Sequence, residues 1–245
     1  MEIGYRIIRP DDVGKQPLQL AQISLWRVAN WRVAVGQQAV KEAMEIEIAC
    51  KERQIRTVYH PIEYPLTGDL ASHSMDVMQQ LALTSDLGMI IHDESGADGN
   101  RLSKDDEKVF EQNVLKLSSI CPISIENAIN SHDITWFWER FVLKASENVS
   151  ITIDIGHMES AGIDSIDYVR LMPERFVERV NYIHLHHKAE ERYGIKDHWP
   201  LVLGCREIEA LKVFIKRKPN VRVILELNAA KPGMGQSIEL LKDIS

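Results

Sequence analysis

The sequence predicts an α/β fold, a TIM (βα)₈ barrel with a degenerate first βα unit, as a single domain over residues 1–245. Three observations lead to this prediction: eight short apolar runs, helix-period segments between them, and ionisable residues gathered at the C-terminal ends of the runs. Strands that alternate with helices form right-handed parallel βαβ units, and eight such units close into a barrel. The length of the chain is normal for one barrel.

The apolar runs are continuous rather than alternating, which is typical of strands whose two faces are both covered. Strands are predicted over residues 1–8, 18–26, 56–62, 88–94, 123–128, 151–157, 180–187 and 221–228. Helices are predicted over residues 35–54, 72–86, from 103 onward, 132–146, 163–171, 205–217 and 234–243. Ser103 and Asp106 form a capping-box arrangement at the start of the third helix. Residues 9–17, RPDDVGKQP, are too short and too rich in proline and glycine for a helix, so we expect a loop there.

Composition and charge bear on three classes of function: nucleic-acid binding, membrane insertion and cysteine-based sites. The formal net charge is −7, so the chain lacks the excess of basic residues that is typical of nucleic-acid-binding proteins. Bound divalent metals would, however, add positive charge locally. A nucleic-acid partner is therefore possible but not favoured. No apolar run reaches the roughly 20 residues of a membrane-spanning helix, and the N-terminus does not resemble a signal peptide, so we expect a cytoplasmic protein. Three cysteines without a CxxC pair predict neither a disulfide framework nor a cysteine zinc site.

Ionisable residues follow or close most of the predicted strands. They are His60, His92, Glu126, Asp154, His157, His184, His198 and Glu226. In a barrel, the carboxyl ends of the strands point to one face, where these side chains would converge. A single histidine at a strand end is more often a hydrogen-bonded structural residue, but eight such residues on six consecutive strand ends favour a metal site.

The kind of metal follows from the ligand types. Crowded carboxylates would repel one another unless divalent cations lay between them. Nitrogen and oxygen ligands without thiolate suit Zn²⁺, Mn²⁺ or Fe²⁺, and a set rich in imidazole favours zinc.

Other candidate residues are less specific. Trp31 and Arg32 belong to an aromatic and basic cluster after the second strand, which either packs against the barrel or binds substrate. His187 is a candidate for substrate binding or for orienting a metal ligand. The chain has no GxSxG elbow, P-loop or dinucleotide-binding glycine motif.

A series of motifs, in order and at barrel spacing, gives the chain a family resemblance. They are YHPIEY, IIHDESG, ISIENA, IDIGHMESAG, IHLHHK, DHWPL and ILELN. Together they resemble the xylose isomerase-like TIM barrel superfamily, which includes endonuclease IV (AP endonuclease family 2) and sugar phosphate isomerases and epimerases.

The resemblance to endonuclease IV implies three zinc ions, of which Glu126 would bridge two. The other ligands would be His60 and His92 for the first ion, Asp154, His184 and Glu226 for the second, and His157 and His198 for the third. Trp31 and Arg32 fall where endonuclease IV has a DNA-facing loop. The chain departs from that pattern at Lys196, where the family has an aspartate ligand, and near Ala29, where the family inserts an arginine into DNA.

Two enzyme classes and one non-enzymatic alternative remain open. The first is a zinc hydrolase of a phosphoester, in which a metal-activated water attacks and Glu126 and Glu226 are catalytic. The second is a sugar or sugar phosphate isomerase or epimerase, in which the two glutamates move protons beside one Mn²⁺, Mg²⁺, Fe²⁺ or Zn²⁺ ion. This second class does not need His60 or His92, and their presence favours the hydrolase. The third is a barrel that only binds a metal or ligand. We therefore expect one to three ions.

Overall fold

The computed structural model describes residues 1–26, 36–94, 101–128, 134–188, 198–227 and 232–244. Eight parallel strands close into a barrel in which each strand pairs with the next and the eighth pairs with the first. The strands are β1 (Glu2–Ile7), β2 (Leu20–Trp26), β3 (Arg56–Ile62), β4 (Met89–His92), β5 (Ile123–Glu126), β6 (Val149–Asp154), β7 (Val180–Leu185) and β8 (Arg222–Leu225). The predicted TIM barrel is confirmed.

Helices cover the outside of this barrel. They are α1 (Gln37–Glu52), α2 (Ala71–Ala82), α3 (Lys104–Ser118), α4 (Ile134–Phe141), α5 (Ile155–Ser160), α6 (Ser165–Leu171), α7 (Glu174–Val177), α8 (Arg206–Ile215) and α9 (Met234–Lys242). Between β1 and β2 the chain forms only a single 3₁₀ turn, Pro10–Asp12, which confirms the degenerate first unit. None of the helices in the described part of the chain is both long and apolar enough to cross a membrane.

The sixth strand differs from the prediction at both ends. It begins at Val149 and ends at Asp154, whereas residues 151–157 were expected. The Asp154 side chain accepts a hydrogen bond of 2.6 Å from the backbone N–H of His157 and so caps α5. The cap turns the chain into a helix directly after the strand, which places His157 on the first turn of α5. Apolar composition alone could not reveal this turn.

The floor of the barrel is apolar. A buried cluster fills its interior and consists of Leu20, Val58, Ile90, Tyr182 and Ile224. On β1 the corresponding residue is Gly4, where a Cβ atom would lie 2.7 Å from Leu20 Cγ and 2.8 Å from Ile224 Cδ1. A larger side chain at this position would therefore displace the floor.

The mouth of the barrel is polar because strand side chains alternate between faces. Two residues beyond each floor position, the same strand carries a polar or charged residue towards its C-terminal end. These residues are Arg6, Gln22, His60, His92, His184 and Glu226. On β5 and β6, Ser124 and Thr152 are hydrogen-bonded to each other at 2.7 Å, and Glu126 and Asp154 follow two residues later. The strands that seal the floor thus also supply the polar groups of the mouth.

Gly88, just before β4, needs a conformation and a space that other residues lack. Its φ is +93°, and a Cβ atom there would lie 1.9 Å from the backbone oxygen of Pro122. We expect Gly88→Ala to lower the free energy of unfolding by about 3 kcal/mol or more, from left-handed backbone strain plus the clash. The measurement is the urea midpoint followed by circular dichroism.

Gly162→Ala is the matched control. Gly162 also has a positive φ, +79°, but no atom of the residues that the structure describes lies within 4 Å of its added Cβ. Strain alone should cost about 1–2 kcal/mol there. If the two variants lost equal amounts of unfolding free energy, the result would contradict the proposed clash with Pro122.

Candidate metal centre

The eight predicted ligand residues converge at the carboxyl ends of β3 to β8. Strand register accounts for part of this, since His92 is level with Glu126 and Asp154 is level with His184. Six of the eight side chains are buried: His60, Glu126, Asp154, His157, His184 and Glu226. The other two, His92 and His198, are 28% and 20% exposed and lie at the rim.

The centre of the group consists of two histidines between two glutamates. His184 Nδ1 lies 3.0 Å from Glu126 Oε1 and 3.7 Å from Glu226 Oε2. His60 Nε2 lies 3.5 Å from Glu126 Oε2 and 3.9 Å from Glu226 Oε1. One nitrogen or oxygen atom from each of the four residues lies within 4.8 Å of the others. The two glutamates therefore face the same two imidazoles.

Asp154 and His157 extend the group on one side, and His92 does so on another. His157 Nδ1 is 3.4 Å from Asp154 Oδ2 and 3.6 Å from Glu126 Oε1. Asp154 Oδ2 is also 4.0 Å from His184 Nδ1. His92 Nε2 is 3.7 Å from Glu126 Oε2, so Glu126 has imidazoles near both of its oxygens.

These residues fit a divalent metal, and the clearest sign is a set of buried polar atoms without partners. Both oxygens of Glu126, Oδ2 of Asp154 and both ring nitrogens of His184 lack a hydrogen bond within the described residues. Unpaired buried groups of this kind cost free energy unless an ion or water satisfies them. Two ligands of one zinc ion lie about 3–3.6 Å apart, close to the separations found here.

His60 is held in the orientation that a metal ligand needs. Its Nδ1 is 2.9 Å from the backbone oxygen of Ile90, so Nδ1 carries the proton and donates it. The lone pair is then on Nε2, which faces the two glutamates. A ligand histidine usually has such a partner for its other nitrogen.

Burial and neighbouring charges shift the pKa values of these groups in the metal-free chain. Burial lowers the pKa of His60 to about 4, and burial with nearby imidazoles lowers that of His92, so both are neutral as ligands must be. Burial raises the pKa of Glu126 to about 8. Burial opposes protonation of His184, but the charges of Glu126 and Glu226 outweigh it and raise the His184 pKa to about 9.

Glu226 is held by further contacts. Gln22 Nε2 donates a hydrogen bond to Glu226 Oε1 and another, of 3.1 Å, to Ser24 Oγ. His198 Nε2 lies 3.4 Å from Glu226 Oε2. Burial alone would raise the Glu226 pKa, yet the charge of His184 and the contact with His198 keep it well below its usual range. The sequence analysis did not identify Gln22 as a residue of the site, although its position two residues beyond Leu20 could have indicated this role.

His186 is a second residue that the sequence prediction left without a role. Its ring is buried, stacks on His198 with centroids 4.2 Å apart, and lies 5.3 Å from the ring of His157. Its Nδ1 accepts a hydrogen bond of 2.9 Å from the backbone N–H of His198. The proton of the neutral ring is then on Nε2, 3.2 Å from Asp154 Oδ1. His186 Nε2 makes no hydrogen bond within the described residues, so its contact with Asp154 is electrostatic. One nitrogen each from His157, His186 and His198 lies within 4.8 Å of the others, so His186 is placed either to orient Asp154 or to join the two histidines predicted for the third ion.

Gly156 explains how His186 reaches this position. A Cβ atom at Gly156 would lie 2.2 Å from Cε1 of the His186 ring. Two sequence signals could therefore have identified His186: the same-face spacing from His184, and the glycine beside Asp154 and His157.

His187 lies apart from the metal centre. Its Nδ1 is 3.1 and 3.0 Å from the two carboxylate oxygens of Glu207 on α8, and its backbone pairs with Trp199. Its proposed role in substrate binding stays a prediction. Trp31 and Arg32, the other two predicted substrate-binding residues, lie outside the described residues.

Comparison with known proteins identifies the fold. No protein-family model and no curated protein matches the chain. Similar solved structures include a xylose isomerase domain protein from Planctomyces limnophilus, with a TM-score of 0.65 and 14% identity over 99% of this chain and 96% of that chain. The IolI protein with a bound zinc atom has a TM-score of 0.65 and 11% identity over 100% and 96%. D-allulose 3-epimerase from Methylomonas sp. has a TM-score of 0.63 and 12% identity over 99% and 90%. The chain therefore has the fold of the xylose isomerase-like TIM barrels, as its motifs predicted.

The pair of His187 and Glu207 should make stability depend on pH. Hydrogen bonds that the His187 ring donates to Cys205 and to the Glu207 carboxylate raise the His187 pKa from 6.5 to about 10. A raised histidine pKa stabilises the fold fully below pH 6.5, and the contribution is lost as the pH rises towards 10. Because His187 is half-buried, we expect Glu207→Gln to lower the free energy of unfolding by about 1 kcal/mol at pH 6 and by less at pH 9.

Glu209→Gln, on the same helix, is the control. Glu209 pairs with the partly exposed Lys212, so the effect of Glu209→Gln should stay flat between pH 6 and pH 9. Urea unfolding at several pH values measures both variants. A Glu207→Gln effect that grows with pH would contradict the assignment of a charged His187.

Proposed function

We propose that this protein is a metal-dependent sugar isomerase or epimerase in which Glu126 and Glu226 move the proton. The proposed ligands of the catalytic ion are Glu126, Asp154, His184 and Glu226. Zn²⁺ or Mn²⁺ suits this set of oxygen and imidazole donors.

The arrangement of the two glutamates is the observation that carries the proposal. Glu126 ends β5 and Glu226 directly follows β8, and both lie within 4 Å of His184 Nδ1. Both are almost completely buried. Two carboxylates that approach one centre from different strand ends suit a reaction that removes a proton from one face of a carbon and returns it on another.

The residues at the mouth would have separate roles in this reaction. Glu126, Asp154, His184 and Glu226 would hold a divalent ion, whose charge would polarise the sugar carbonyl and make the hydrogen on the neighbouring carbon more acidic. One glutamate, as the carboxylate, would accept that proton, and the other, protonated at the start, would give its proton to the carbon or to the adjacent oxygen. Gln22 holds Glu226 in place through its amide, and His186 faces the Asp154 oxygen that points away from His184. Burial of both glutamates keeps water from competing for the proton.

Comparisons with known proteins support this proposal over the hydrolase that the sequence favoured. The similar structures include a sugar epimerase, also solved in complex with D-allulose, and a zinc-containing protein. They share only the fold with this chain, so the activity remains our inference.

A zinc-dependent phosphoester hydrolase is the second candidate, and one observation favours it. His60 Nε2 and His92 Nε2 lie 3.5 and 3.7 Å from the same oxygen of Glu126, which leaves Glu126 able to bridge two ions. Such a hydrolase needs at least two ions, whereas an epimerase needs one. A barrel that only binds a metal is the third candidate and would show no turnover.

Proton exchange distinguishes these candidates. We expect the Mn²⁺- or Zn²⁺-loaded protein to exchange a carbon-bound proton of a ketose in D₂O, with formation of an epimer or isomer detected by NMR. The panel should contain D-allulose, other ketoses and their phosphates. Glu126→Gln should lower the exchange rate by about 10²–10⁴-fold, because the proton acceptor is lost.

His92→Asn is the matched variant, since His92 is outside the four proposed ligands. It should retain exchange within about tenfold of the wild-type protein. Cleavage of an abasic DNA duplex or another phosphoester that requires His92, with no exchange for any sugar, would overturn the epimerase in favour of the hydrolase.

A further inference from the structure

Arg6 is a cation at the mouth that neither the metal centre nor the proposed proton transfer uses. It lies near the end of β1, level with Gln22 on β2 and two residues beyond Gly4 of the barrel floor. By strand alternation its side chain is on the inner face of the barrel. Its guanidinium Nη2 donates a hydrogen bond of 2.9 Å to the backbone oxygen of Leu227, just beyond β8.

Within the described residues, Arg6 has no carboxylate as an ion-pair partner. Its Nε is buried and makes no hydrogen bond there. Arg222 provides a useful contrast, because it also lies on a strand and over an aromatic ring, with Cζ 5.4 Å from the ring centre of Tyr182. Arg222 is paired with Glu2 at 3.5 Å. Because Nε is buried, an anion would approach the terminal nitrogens of the guanidinium, and no carboxylate of the described residues pairs with them as Glu2 pairs with Arg222.

The surroundings of Arg6 suit an anionic ligand. Its Cζ is 5.9 Å from the ring centre of Trp26, which supplies an apolar wall beside the guanidinium. Its charge reaches the metal centre, since it contributes to lowering the pKa values of Glu226 and His60. The buried carboxylates of the metal centre, Glu126, Asp154 and Glu226, would repel an anion from the other side of the mouth.

We propose that Arg6, with Trp26 beside it, binds an anionic substituent of the substrate, a phosphate or a carboxylate, at the β8–β1–β2 side of the mouth. The fork of guanidinium N–H groups matches either anion. The identity of the substrate as a sugar rests on the proposed function, but the anion site does not. The alternative is that Arg6 serves only as a counter-charge for Glu226.

Titration of the metal-depleted protein with inorganic phosphate tests the anion site without interference from a bound ion. Saturable binding, followed by ³¹P NMR line broadening, is expected for the wild-type protein. Arg6→Gln should weaken it at least about tenfold, Arg6→Lys by less, and Arg222→Gln, the matched control, by less than twofold. Equal phosphate binding by wild-type and Arg6→Gln proteins would overturn the proposal.

Two further measurements separate the possible outcomes. Titration with glycolate in place of phosphate shows which anion the site prefers. Metal content of the loaded Arg6→Gln protein should equal that of the wild-type protein, and loss of the metal without a change in phosphate binding would assign Arg6 to Glu226 alone.

The proposed function and the Arg6 site can fail separately. If the protein epimerises sugars, Arg6→Gln should lower kcat/KM for a sugar phosphate or sugar acid at least about tenfold more than for a neutral ketose. Phosphate binding that depends on Arg6 in a protein with no sugar exchange would retain the anion site and exclude the epimerase.

Discussion

Crowding of ionisable groups in a buried space is the constraint on which the rest of the site depends. Glu126, Asp154 and Glu226 have almost no contact with solvent, and His60 and His184 lie between them. Neither carboxylate oxygen of Glu126 and neither ring nitrogen of His184 makes a hydrogen bond within the described residues. A divalent cation would supply the missing partner for several of these atoms together, and a purely structural network would not be expected to leave them unsatisfied.

The barrel makes this crowding possible because the same strands supply both the apolar floor and the polar mouth. Each strand carries a floor residue and then, two positions later, a polar residue at the mouth. The apolar floor of Leu20, Val58, Ile90, Tyr182 and Ile224 closes the barrel below the site. Burial of this floor stabilises the closed barrel, and closure in turn holds residues from six strands within a few ångströms of one another. The stability of the fold and the geometry of the site therefore come from the same strands.

Much of this arrangement could be predicted from the sequence. The eight strands, the missing first helix and the convergence of the eight candidate ligands followed from apolar runs and from the residues that close them. Gln22, His186 and Arg6 were harder to assign, because their roles depend on contacts across strands: Gln22 with Glu226, His186 with Asp154 and His198. The end of β6 was misplaced because a side-chain cap, rather than composition, stops the strand. The preference for hydrolysis depended on His60 and His92, which fit a second ion but do not require one.

An anomalous diffraction experiment on crystals grown with Mn²⁺ or Zn²⁺ tests the central claim most directly. The account predicts a peak at the mouth of the barrel, with one oxygen each from Glu126, Asp154 and Glu226 and one nitrogen from His184 within about 2.0–2.3 Å of the ion. A crystal in which these side chains bond only to other protein groups or to water at saturating metal would contradict it.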